Sequence, residues 1–298
     1  MFLLSVYYNM DTSKTALAVL CGAVGGCILG AGYMLWRGHH HGHGHGPFTQ
    51  GEFENIWAHT QYGEEEKELL EKTISFKEGL EYYSKIFELC SKYKNESITS
   101  RALDIGCSLG RTTFDLALLF NEVIGIDTSV SSIEKANKIK EEGQIAYKFL
   151  IEGEITKDYV GKVNPDIDRS RVSFIVGDAC DLPSDLGQFG MIIILNALHH
   201  FPDPKKFLLN VHKLLVSGGI LIIDEMYVWH DMLGLPKDRW VSGYVKENGE
   251  EVLGIDGLKN ILSESFELLE TKEIPSITRW KTRMCMIGFS EGTVWKRK

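Results

Sequence analysis

The sequence predicts an α/β fold, a doubly wound seven-stranded sheet, with an N-terminal transmembrane helix ahead of it. Three observations carry this. From Arg101 onward, short apolar runs alternate with amphipathic ones, the pattern of parallel strands joined by crossover helices. The first run, Arg101–Ala117 (RALDIGCSLGRTTFDLA), drives a buried strand straight into a loop containing Gly106, Ser108 and Gly110, then into a helix. Residues Thr15–Trp36 carry no charge over a length that spans a bilayer.

The N-terminal part divides into a leading segment (1–14), the transmembrane helix (15–36) and a His/Gly-rich linker (37–52), ahead of one catalytic domain (53–298). Lys14 and Arg37 flank the span, so flanking charge barely orients it. Gly30-Ala31-Gly32 would also suit a cleaved signal peptide, but the apolar run outlasts a usual signal core, which favours an anchor. Gly22, Gly26 and Gly30 recur every four residues. That spacing either makes a groove for pairing two helices, hence a homodimer, or reflects only the frequency of glycine in such segments. The tract His39–Gly46 (HHHGHGHG) can hold a metal, yet interleaved glycines impose no geometry, so it reads as linker and no metal site is expected.

With 298 residues and 44% hydrophobic content the chain supports one large domain plus extensions. A net charge of −9 without a basic cluster argues against a nucleic-acid partner. The six cysteines form no CxxC pair, which fits a reducing compartment. Within 64–93, Leu80, Tyr83, Phe87 and Cys90 recur at helical spacing and predict a helix covering the domain from outside. Asn95-Glu96-Ser97 reads as its closing turn and is also a lone glycosylation sequon. Strands are expected near 101–105, 122–127, 172–176, 190–195 and 219–224, with helices near 111–120, 130–142, 203–217 and 255–264. Two more strands near 266–274 and 289–296 complete seven, and the weakly patterned 145–168 reads as an insertion. In such sheets ligands bind at the carboxyl ends of the strands.

The candidate site residues fall at those ends. Asp104 lies in the strand of the glycine loop, whose Gly106, Cys107, Ser108 and Gly110 bring backbone N–H groups to a ligand. Asp127, with Thr128 beside it, ends the next strand, where an acid can accept both protons of a ribose diol, or merely cap the following helix. Asp178 and Ala179 end the third strand. The run MIIILNALHHF breaks at Asn196 and then presents His199 and His200, each a potential general base or a packed core imidazole. Tyr227, Trp229 and Trp240 read as an acceptor wall, or as core aromatics. Arg279 and Arg283 could clamp a carboxylate bidentately.

One acid in the loop strand and a second at the end of the next strand resemble class I S-adenosylmethionine (SAM) methyltransferases, which have a Rossmann-like fold. The resemblance implies SAM as cofactor, with Asp104 near the methionine amino group, Asp127 on the ribose, and Asp178 and Ala179 on the adenine. It places Asn196 and the two histidines beside the reacting methyl. More narrowly, ALDIGCSLGRTTFDLA, EVIGID, VSFIVGDACDL, PKDRWVSG, DGLKNIL and a close in Arg279…Arg283…Thr293-Val294-Trp295 are similar to the methyltransferase domain of ovothiol biosynthesis. Tyr62-Gly63 matches that family's entry. It implies a mercaptohistidine-like acceptor methylated on an imidazole nitrogen, with Tyr62, Tyr227, Trp229, Trp240, Arg279 and Arg283 around it. The likeness departs at His199-His200, where that family tends to have Asp-Arg, and at Trp280, which replaces an acid. A small-molecule acceptor and a membrane-anchored domain facing the cytosol follow as expectations. A lipophilic acceptor reached from the bilayer and a catalytically silent SAM-binding scaffold are the alternatives.

Overall fold

The computed structural model describes residues 50–63, 77–95, 98–183, 185–229 and 235–298. The expected transmembrane helix, the histidine tract and the linker up to residue 49 lie outside the described residues. Among those described, no helix is long and apolar enough to cross a membrane.

In chain order the elements are α1 (Gln50–Tyr62), a single turn α2 (Lys77–Leu80), α3 (Tyr82–Tyr93), β1 (Arg101–Ile105), α4 (Arg111–Leu116), β2 (Glu122–Asp127) and α5 (Val130–Glu142). There follow β3 (Gln144–Glu152), β4 (Ile155–Lys162), β5 (Val172–Val176), β6 (Phe189–Leu195), α6 (Pro204–Asn210) and β7 (Leu215–Glu225). The chain closes with β8 (Tyr244–Val245), β9 (Glu251–Val252), α7 (Gly254–Leu262), β10 (Phe266–Lys281) and β11 (Met284–Arg297).

The seven-stranded sheet has the order β5-β2-β1-β6-β7-β11-β10. The pairs among β5, β2, β1, β6 and β7 are parallel, and β11 runs antiparallel to both β7 and β10. The strand order reverses between β1 and β6, the switch point at which such sheets hold ligands. Central strands buried on both faces explain their unbroken apolar runs: Ile192, Ile193 and Ile194 are fully buried. One core layer takes Ala102, Val123, Ile193 and Ile222, and the other takes Leu103, Ile192, Leu221 and Trp295.

Several expectations are corrected here. The 145–168 insertion is an antiparallel hairpin, β3–β4, whose alternation buries Tyr147 and Phe149. The helix expected over 203–217 starts where Asp203 accepts from Lys206 N–H and Pro204 occupies the first turn. It tightens into a 3₁₀ turn over Val211–Leu214, because Leu215 already pairs with Phe189 in the sheet. The face of α3 is rotated from the expected one: Tyr82, Ile86, Leu89 and Cys90 are buried, whereas Tyr83 and Phe87 are only half-buried. β10 and β11 are also longer than predicted. The last β7 partner of β11 is Glu225, facing Glu291, and from there the hairpin runs on to Lys281 and Met284 without the rest of the sheet. Its overhang reaches α2, where Gly79 packs against Ile277, and α1, through Arg279.

Candidate active site

The glycine loop is built by backbone conformation. Gly106, Ser108 and Gly110 have φ of 80°, 51° and 85°, so three residues in five turn left-handed and the chain reverses tightly between β1 and α4. Gly106 N–H and Cys107 N–H both donate to Ile126 O, at 2.8 and 3.1 Å, which binds the loop to β2. A Cβ on Gly110 would stand 2.4 Å from Phe174 Cζ, so only glycine fits there. Gly106 is equally closed, with Ala197 Cβ at 2.5 Å from such an atom, which puts the loop against the end of β6.

Asp127 sits at the end of β2, half-buried, and receives Ser108 N–H on Oδ2 at 2.9 Å and Ser129 N–H on Oδ1 at 2.8 Å. Each oxygen keeps a lone-pair site for a further donor. Thr128 beside it is exposed, and the helix cap is Ser129. Asp178 is half-buried after β5; its Oδ1 accepts from Cys180 N–H at 2.8 Å, and Gly177 N–H donates to Asp127 O at 3.0 Å. Ala179 is buried beside it. Thus the ends of β1, β2 and β5 bring the loop, Asp127 and Asp178 together. Asp104 behaves differently: it is 2% exposed under the loop and accepts from Thr113 Oγ1 at 2.6 Å. Burial, helped by the Asp127 charge, pushes its pKa up to about 7. Its part in the site is therefore through α4 and the loop. Cys107 likewise buries its side chain in the core and offers only its backbone.

A second cluster lies at the ends of β6 and β7. Asn196 has φ of 48° and Tyr227 φ of 54°. Together with Ser108 these are the positive-φ residues other than glycine among the described residues, and they end the three neighbouring strands β1, β6 and β7. Such strain persists where the surroundings over-determine it. Asn196 N–H donates to Asp224 O at 2.7 Å. The rings of His199 and His200 lie against each other with centroids 4.2 Å apart and planes tilted by 43°. His199 Nδ1 lies 2.6 Å from Glu225 Oε1. His200 keeps an exposed edge, but the protein packed around its ring, together with His199, lowers its pKa to about 4, so it is neutral at physiological pH. Asp224 is wholly buried and accepts on Oδ2 from Tyr82 O–H at 2.6 Å and Ser290 O–H at 2.8 Å. Burial raises its pKa to about 6. Tyr227 O–H donates to Glu291 at 2.7 Å.

Asp224, Glu225, Tyr82, Ser290 and Glu291 were missed by sequence reasoning. The pair Asp224-Glu225 had a legible signal, two acids closing the apolar run GGILII. The others are brought in by long-range pairing.

Four expected acceptor contacts are corrected. Tyr62 is 3% exposed and donates its hydroxyl to Leu109 O at 2.8 Å, so it braces the glycine loop. Trp229 packs in the core with Nε1–H on Ser242 Oγ at 2.6 Å, and Trp240 packs against the same layer with Nε1–H on Leu235 O at 2.9 Å. These two are the core aromatics of the open alternative; residues 230–234 between them lie outside the described residues. Arg279 and Arg283 form no clamp. Arg279 is 4% exposed and donates Nη2–H to His59 O at 2.8 Å and Gly63 O at 2.6 Å, satisfying the carbonyls that end α1. Arg283 is exposed at the β10–β11 turn. Among the described residues no group of His, Cys, Asp and Glu is arranged to hold a metal.

Residues 103–223 match the family model described as a methyltransferase domain. Over those residues the chain carries a SAM-dependent methyltransferase domain. The chain is 28% identical over 122 residues to ajmaline N-methyltransferase of Rauvolfia serpentina, covering 41% of this chain and 34% of the relative. It is 28% identical over 159 residues to 27-O-demethylrifamycin SV methyltransferase of Amycolatopsis mediterranei (strain S699), covering 53% and 49%. With chloroplastic tocopherol O-methyltransferase of Arabidopsis thaliana the figures are 27% over 131 residues, 44% and 31%. The chain thus spans about a third to a half of the length of these relatives. Among solved structures, N-methyltransferase NodS from Bradyrhizobium japonicum WM9 with bound S-adenosyl-L-homocysteine aligns with a TM-score of 0.46 at 15% identity, covering 83% of this chain and 98% of that one. The residues present in the methyltransferase domain fit SAM. Asp127 retains acceptor capacity at the mouth of the loop, and the closed Cβ positions of Gly106 and Gly110 keep the loop backbone bare.

Proposed function

We propose that the chain methylates a nitrogen, oxygen or sulfur of a small molecule, using SAM. The observation that carries this is the meeting of two clusters at the carboxyl ends of neighbouring strands. The loop, Asp127 and Asp178 occupy the ends of β1, β2 and β5, and the histidine pair stands at the end of the adjoining β6. Bound SAM supplies an electrophilic methyl group. Asp127 holds the ribose hydroxyls, Asp178 and the Ala179 N–H take the adenine edge, and the loop N–H groups and Asn196 line the rest of the cofactor. His199 and His200 face the acceptor, and one of them orients or removes its proton. Names among the relatives speak of N- and O-methylation, which supports a small-molecule acceptor and leaves the receiving atom open.

The narrower mercaptohistidine reading required a guanidinium clamp for the acceptor carboxylate. The commitment of Arg279 to α1 removes half of that support. The apolar segment 15–36 favours instead a lipophilic acceptor reached from a bilayer, with the domain anchored on the cytosolic side, where SAM is found, and with the glycine-faced helix available for a homodimer. The test is incubation of the full chain with methyl-labelled SAM and a total metabolite extract, followed by identification of the labelled product. SAM binding without label transfer to any compound would leave the silent scaffold instead. Endoglycosidase sensitivity lost in Asn95→Gln would place the domain in a lumen and overturn the cytosolic side.

A further inference from the structure

β7 ends in two adjacent carboxylates that point to opposite faces of the sheet. Glu225, on the α6–α7 side, is fully buried, and its oxygens are all but saturated by N–H donors. Oε2 accepts from Leu198 N–H at 3.1 Å, and Oε1 accepts from Met226 N–H at 3.0 Å and faces His199 Nδ1 at 2.6 Å. An ionised carboxylate only accepts, so in the neutral imidazole of His199 it is Nδ1 that carries the proton and Nε2 that keeps the lone pair. The His199 side chain is 10% exposed, so the ring is fixed in the wall and shows solvent one edge. His200 lies tilted beside it and is exposed, and the carboxylate of β7 is turned to His199. The two histidines are therefore chemically unequal.

We infer that Glu225 is the positioning residue that makes His199, and not His200, the general base, and that the acceptor is a protic nucleophile: a hydroxyl, a thiol or an azole N–H. This rests on the methyl-transfer reading above. As the acceptor attacks, its X–H bond breaks and the proton passes to His199 Nε2. The freed electron pair forms the bond from X to the methyl carbon, and the electron pair of the carbon–sulfur bond stays on sulfur, leaving a neutral thioether. The imidazolium so formed lies against the Glu225 carboxylate until water takes its proton. A tertiary amine or a carboxylate would attack without losing a proton, and for such an acceptor the pair would have no task.

The decisive measurement needs no acceptor. In the full chain labelled with [¹⁵N]histidine, long-range ¹H–¹⁵N correlation at neutral pH should show His199 with a pyrrole-like Nδ1 and a pyridine-like Nε2, assigned by its loss in His199→Gln. Glu225→Gln should convert that pattern to a tautomer mixture while the circular dichroism spectrum and SAM affinity hold. An Nε2–H tautomer in the wild type, or a pattern indifferent to Glu225→Gln, overturns the inference. Loss of SAM binding in the wild type itself would strike the methyl-transfer reading and leave the tautomer result standing, so the two failures are separable. In the labelled-extract assay, Glu225→Gln should cut product formation by at least about tenfold, and the label should sit on an atom that had carried hydrogen. Label on a carboxylate or a tertiary amine would overturn the acceptor class.

Discussion

The hydroxyl of Tyr82, on α3, donates to Asp224 Oδ2, at the end of β7, across 2.6 Å of fully buried space. The bond ties a helix that precedes the sheet in sequence to the strand end beside the histidine pair. Tyr82→Phe removes the hydroxyl and keeps the ring. It should lower unfolding free energy by about 1–3 kcal/mol, because a buried carboxylate loses a donor. Urea denaturation checks it, and an unchanged midpoint would show that Ser290 alone suffices.

Asp127→Asn should weaken SAM binding by roughly tenfold to a hundredfold, about 1.4–2.7 kcal/mol. Asparagine keeps an acceptor for one of the two N–H groups that Asp127 receives from Ser108 and Ser129, but it substitutes a donor for the other and loses the charge. Calorimetry on the full chain reads this directly, and unaltered affinity would remove Asp127 from the cofactor.

Asp104 makes the domain pH-sensitive in a defined direction. Its folded pKa is raised, chiefly by burial, to about 7, above the ordinary carboxylate value, so the folded state holds the proton more tightly. The associated stability is fully present below about pH 4 and is lost as pH rises through about 7. Asp104→Asn does not titrate there. Relative to wild type it should gain at least about 1 kcal/mol between pH 5 and pH 8 in the absence of SAM. Parallel stability–pH curves for the two proteins would refute the assignment.

Arg279→Lys should cost about 1–3 kcal/mol of stability, since an ammonium cannot reach both His59 O and Gly63 O in the geometry of a guanidinium. Arg283→Lys, at the exposed turn, should fall within about 0.5 kcal/mol of wild type. Equal effects would mean that Arg279 is not the cap of α1.

The architecture was legible because buried parallel strands leave continuous apolar runs and each crossover helix an amphipathic one. VIGID and MIIIL could hardly be anything else. The glycine loop was legible because its tight reversal demands small residues at Gly106 and Gly110. The cluster at the ends of β6 and β7 was not, and the reason is physical. Tyr82, Asp224 and Ser290 lie up to 208 positions apart and meet only through β7–β11 pairing and the packing of α3 on the sheet, which no local pattern encodes. Trp229 and Trp240 misled in the opposite sense: aromatics after a strand serve a core as readily as a wall, and here each indole N–H finds its partner inside the domain. Arg279 misled because an arginine's task depends on what its fork meets, here the carbonyl ends of a helix met by the overhanging hairpin.

That overhang gives the domain two parts able to change at different rates. The cofactor half of the sheet is locked by close packing, with Ala197 and Phe174 filling the space where side chains would grow at Gly106 and Gly110. The β10–β11 extension is bound by hydrogen bonds to α1 and by apolar contact to α2, and it reaches the glycine loop only at second hand, through Tyr62 at the end of α1. Lengthening, trimming or resurfacing the ribbon between Arg279 and Ser290 alters what stands beyond the end of β7 while the contacts of the glycine loop stay as they are. Exchange of the tip alone, residues 280–289, is therefore the economical route to a new selectivity, because it leaves Arg279 on α1 and Ser290 on Asp224.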